Sequence, residues 1–159
     1  MVGTHCRDLR FTAVRPGKSP EVADEYTSKD ATQGELRSQG FFYKPDGPDS
    51  GVLGLPISVA GRPGYRHLFE GSAAILFLRN QSLRFEELGE LGAQSEKAVD
   101  DNCRASCVDW YGNSRPIFAR GRILALLGYE IVEGSLRNGR MQEMRRINYA
   151  PQRTVITRR

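Results

Sequence analysis

Four residues, His5, Cys6, Cys103 and Cys107, carry the imidazole and thiolate groups that zinc takes in a tetrahedral set. A helix would bring Cys103 and Cys107, four positions apart, onto one face. His5 and Cys6 are adjacent, which suits that geometry poorly, and unpaired cysteine is itself a small buried apolar group. Core thiols are therefore expected, with no metal and no cofactor assigned. The only other histidine, His67, sits in the run Tyr65-Arg66-His67-Leu68-Phe69-Glu70. To act as a base it would need a carboxylate such as Glu70 or Asp109 at its ring, and a pocket. A half-buried strand position explains it more simply. Glu86 with Glu90, and Asp100 beside Asp101, read as solvated helix faces rather than catalytic pairs.

Phosphate-cradling and nucleophile motifs are missing. The chain has no G-x-x-x-x-G-K-[ST], no G-x-G-x-x-G, no G-x-S-x-G and no H-E-x-x-H. No catalytic residue is assigned, and a protein that is not an enzyme is the expectation.

A basic and aromatic cluster near the C-terminus is the stronger chemical signal. Arg137, Arg140, Arg145, Arg146 and Tyr149 gather around one turn, followed by Arg153, Arg158 and Arg159. Guanidinium forks onto phosphate and stacks on bases, and single-stranded nucleic acid is held by positive grooves with aromatic platforms. Those residues, from Arg137 to Arg153, imply a non-catalytic protein that contacts a polyanion, RNA foremost. Two other functions stay open. The same arginines could meet an acidic protein surface, including that of a second copy through its acidic region Glu86 to Asp101. An enzyme that holds an anionic substrate by arginine, with His67 as base, is the third. Arg145 and Arg146 are neighbours, so on a regular strand they point to opposite sides.

Charge is distributed unevenly. Between Arg115 and Arg159 ten arginines stand against three glutamates, a balance of +7, while the first 114 residues carry −3. The arginine preference runs through the whole chain, 19 Arg to 4 Lys, so part of it is compositional. The 159 residues suffice for one sizeable core, and 39% apolar with 9% aromatic content excludes a disordered chain. The longest apolar run, Ala73 to Leu78, is far too short for a membrane helix. No hydrophobic signal region opens the sequence, and three cysteines fit free thiols, so a reducing intracellular compartment such as the cytoplasm is expected.

These groups must be positioned by elements whose pattern implies an α+β fold. Leu9 to Val14 alternates like a first strand, and 18–39 is polar enough for a long loop with a short helix near Asp30 to Arg37. Phe41 to Tyr43 and Val52 to Val59 follow as strands around a Pro- and Gly-rich turn, and Pro56 implies an edge or a bulge. Tyr65 to Phe69 is another strand candidate. Ala73 to Leu78 lacks polar alternation, as a strand buried on both faces would.

Helices are expected at Ser82 to Leu91, from Ser95 through Val99, Cys103, Cys107 and Trp110, and from Ser114 to Leu127, where Pro116 falls in the first turn and Gly128 stops it. Tyr129 to Val132 continues as a strand. Asn138-Gly139 then predicts a type I′ hairpin, with Leu136 facing Met141 and Val132 facing Arg145. The expectation is a mostly antiparallel sheet, two or three helices within 82–127 and a C-terminal β-hairpin. All of this belongs to one domain over 1–150, with a basic tail at 151–159.

Overall fold

The computed structural model describes residues 8–33, 40, 42–59, 72–94 and 113–150, and among them there are strands and no α-helix. The strands are β1 (Leu9–Arg15), β2 (Glu21–Ser28), β3 (Ala31–Gln33), β4 (Phe42–Pro45), β5 (Ser50–Val59), β6 (Ser72–Gln81), β7 (Arg84–Gly92), β8 (Ser114–Ala119), β9 (Arg122–Leu127), β10 (Glu130–Arg137) and β11 (Arg140–Asn148). All pairings are antiparallel. β1 and β2 form a ribbon. β3, β5, β6 and β7 form a central sheet, with β4 also paired to β5, and β8 to β11 form a meander in sequence order.

β6 explains the layering. Its Ala73, Ile75 and Phe77 join one core with Leu88 and Leu91 of β7 and Ala125, Leu127, Val132 and Met141 of the meander. Its Ala74, Leu76 and Leu78 join a second core with Leu55 and Ile57, packed against Leu9, Phe11 and Tyr26 of the ribbon. The central sheet is thus sandwiched, and the continuous apolar run is that of a strand buried on both faces. Phe77 and Phe118 meet edge to face across the first core, their centroids 6.3 Å apart. A Cβ on Gly54 would come within 2.6 Å of the Pro116 ring, so glycine allows the two sheets to approach there.

The prolines sit where their missing N–H is harmless. Pro116 lies on β8, an edge of the meander. Pro56 falls in the gap between the β4 partner Gly54 and the β3 partner Ile57.

The α+β expectation is overturned. Ser82 to Leu91 is a turn followed by β7, because Ser82 and Leu83 both have positive φ (50° and 66°) and reverse the chain between β6 and β7. Ser114 to Leu127 is a hairpin around Arg120-Gly121, again with both φ positive. Its apolar residues serve two faces, and Gly128 (φ 60°) opens the next two-residue turn instead of capping a helix. The polar stretch 18–39 contains β2 and β3, paired with β1 and β5. The helix expected from Ser95 and the strand at Tyr65 to Phe69 lie outside the described residues.

The Asn138-Gly139 turn forms with both φ positive and sets Leu136 opposite Met141. Further along, the register slips between Glu133 and Gly134, so Val132 faces Arg146, not Arg145. One extra residue, Met144, is accommodated on β11, which is a β-bulge.

Candidate functional site

The bulge decides the fate of two arginines. Residues three apart on a regular strand point to opposite faces, yet the extra residue turns Glu143 and Arg146 to the same side. Arg146 therefore points inward. It donates to Glu130 at 2.8 Å, to Glu143 at 2.7 Å and to the carbonyl of Gly92 on β7 at 2.9 Å. Glu130 also accepts from the backbone N–H of Gln94. Arg146 fastens the meander to the central sheet, and its charge is matched internally.

Arg145 takes the opposite face and is exposed. Its register partner is Glu133, which already accepts two hydrogen bonds of 2.7 Å from Arg122. That fork raises the Arg122 pKa and holds the Glu133 carboxyl below its ordinary value, with Arg145 nearby adding to the effect.

Register partners put a graded series of side chains on this outer face of the meander. At one end Tyr149 lies beside Tyr129, ring centroids 5.7 Å apart and edge to face. Next come Leu126, Ile131 and Ile147, with Arg115 at the margin. Leu124, Glu133 and Arg145 follow, with Ile117 beyond Leu124. Arg137 and Arg140 close the series as direct partners beside the turn. Arg120, in the β8–β9 turn, reaches the same end, because β8 and β10 run in the same direction through the meander.

Arg137, Arg140 and Arg145 thus converge, while Arg146 does not join them. Tyr149 is about half exposed, and its hydroxyl donates to the carbonyl of Gly128 at 2.6 Å. Burial raises the pKa of that phenol. Arg153 lies outside the described residues, as do His5, Cys6, His67, Cys103 and Cys107. Among the described residues no group of three His, Cys, Asp or Glu side chains could hold a metal ion, and no helix is long and apolar enough to cross a membrane.

Arg115 belongs to this face and Arg120 to the turn at its end, although the sequence pattern puts both on a helix. The available signal was Gly121, an interior glycine that a helix accepts at a cost and a type I′ turn favours. The aliphatic rows were hidden for the same reason.

No protein-family model, no curated protein and no solved structure matches the chain.

Proposed function

We propose that this chain is a non-catalytic protein that binds a polyanion, RNA foremost, on the outer face of the meander. Arg137, Arg140 and Arg145 make the contacts, supported by Arg115, Arg120 and Tyr149. One observation carries the reading. Arg137 and Arg140 are direct cross-strand partners, both exposed, and neither forms an ion pair with a described residue. Like charges directly opposite on two strands destabilise the pairing unless an anion lies between them. Phosphate, which guanidinium grips with two parallel hydrogen bonds, is such an anion.

Binding of a fluorescent RNA oligonucleotide, followed by anisotropy at low and moderate salt, tests this. Counterion release predicts a steep fall in affinity with salt. Replacing both Arg137 and Arg140 by alanine should weaken binding and reduce the slope of log K against log salt by about 1.4, at roughly 0.7 per phosphate contact on a single strand. Absence of binding to any nucleic acid at low salt would refute the reading.

A further inference from the structure

We infer, resting on the polyanion reading above, that the bound polymer is single-stranded and runs along the face, the bases of one stretch stacking on Tyr149 and Ile147 and the phosphates of nucleotides further along meeting Arg137 and Arg140. The face separates its two chemistries along β11. From Tyr149 to Arg140 is nine residues, on the order of 30 Å of strand, enough for several nucleotides. Along β11, Arg140 and Arg145 lie toward the turn and Ile147 and Tyr149 toward the other end, where Arg115 stands at the margin of the apolar row.

A duplex presents phosphates outward and keeps its base faces stacked inside, so the apolar end would gain nothing from it. Unpaired bases expose π-faces that stack on aromatic rings and cover apolar surface. Tyr149 is already fixed for this. Its hydroxyl is held by the Gly128 carbonyl and its ring by Tyr129, while 48% of the residue remains exposed. Ile147 beside it is 55% exposed. Binding there needs little further ordering of the side chains.

The same charge pattern argues against this face pairing with the identical face of a second copy. Among its described residues are Arg115, Arg122, Arg137, Arg140 and Arg145 against the single acid Glu133, which Arg122 already engages. Two such faces would repel each other.

The test compares one RNA sequence as a single strand and as a duplex, together with long-chain polyphosphate and poly-glutamate, at fixed salt. Single-stranded RNA should bind at least tenfold more tightly than the duplex. Tyr149→Ala should lower single-strand affinity about tenfold with an unchanged salt slope, as expected for a lost stacking contact. Tyr149→Phe should retain most of the affinity, because the ring remains. Ile147→Ser, at an exposed position, should weaken single-strand binding if Tyr149→Ala fails to fold. Equal affinity for single strand, duplex and polyphosphate, with Ile147→Ser neutral, overturns the single-strand inference and leaves the polyanion reading standing. Preference for poly-glutamate overturns the inference in favour of an acidic protein partner. Failure of the single strand and the duplex alike to bind at low salt overturns both.

Discussion

Arg146 and Glu130 face each other at 2.8 Å between the meander and the end of β7, with side-chain exposures of 16% and 4%. A pair so withdrawn from water is costly to break from one side, since the remaining charge keeps its desolvation penalty without its partner. Arg146→Ala should therefore destabilise the protein by about 3 kcal/mol. Arg145→Ala, one residue away and exposed, should fall within about 0.5 kcal/mol of the parent. Urea denaturation measures both. Equal midpoints would show that Arg146 does not hold the two sheets together.

Glu133 suppresses charge on the face where the arginines gather. Glu133→Gln leaves Arg122 unmatched, so polyanion binding should tighten and its salt slope should steepen by about 0.7. Its effect on stability has a defined pH window. The folded carboxyl titrates below its ordinary 4.5, so the contribution is present above that value and fades as pH falls through the lowered folded one. The parent should accordingly lose its small advantage over Glu133→Gln in acid, as thermal melts across pH 2 to 6 would reveal. Unchanged binding and slope in the variant would mean that Arg122 and Glu133 lie away from the polymer.

Tyr26 links the ribbon to β7 by donating to Glu87 at 2.6 Å, and burial together with that carboxylate raises its pKa well above 10.0. The unfolded chain ionises its tyrosine near 10.0 while the folded one does not, so this stabilisation is complete below that pH and declines above it. Tyr26→Phe should be less stable at neutral pH by about 1 kcal/mol, the net worth of a hydrogen bond that solvent still reaches. It should also show a flatter alkaline decline. A parallel pH dependence for the two proteins between pH 9 and 11 would contradict the assignment.

The β6–β7 turn is built from residues ill suited to it, Ser82 and Leu83, both in the left-handed region. The double change Ser82→Asn with Leu83→Gly supplies the preferred type I′ pair and should stabilise by about 1 kcal/mol, reduced by any apolar contact Leu83 gives up. Differential scanning calorimetry would detect the rise in Tm. A fall would mean that the packing of half-buried Leu83 outweighs its backbone strain.

The sequence showed hairpins where turn chemistry was explicit and hid them where it was not. Asn138-Gly139 announced its turn, whereas Ser82-Leu83 adopts the same class of turn without any of its signals. Spacing misled as well. Leu88 and Leu91, three apart, share one core because the register slips between Phe77 and Leu78 and β7 carries an extra residue. Glu143 and Arg146 share a side of β11 for the same reason. A β-bulge can thus imitate the three-residue spacing of a helix. The face itself was partly legible, since adjacency separates Arg145 from Arg146, but which one turns inward depends on a bulge that no local pattern marks.

The strand Ala73 to Leu78 has a further consequence for how the chain finds its native pairing. Slipping a strand by one residue normally exposes apolar groups and buries polar ones, a penalty that corrects the error. In β6 the slip would exchange Ala73, Ile75 and Phe77 for Ala74, Leu76 and Leu78, one greasy set for another. Polarity cannot proofread the run Ala73 to Leu78 from within. Alignment there falls to the shapes of the side chains, to the extra residue opposite Phe77 and Leu78, and to a strained turn at Ser82-Leu83.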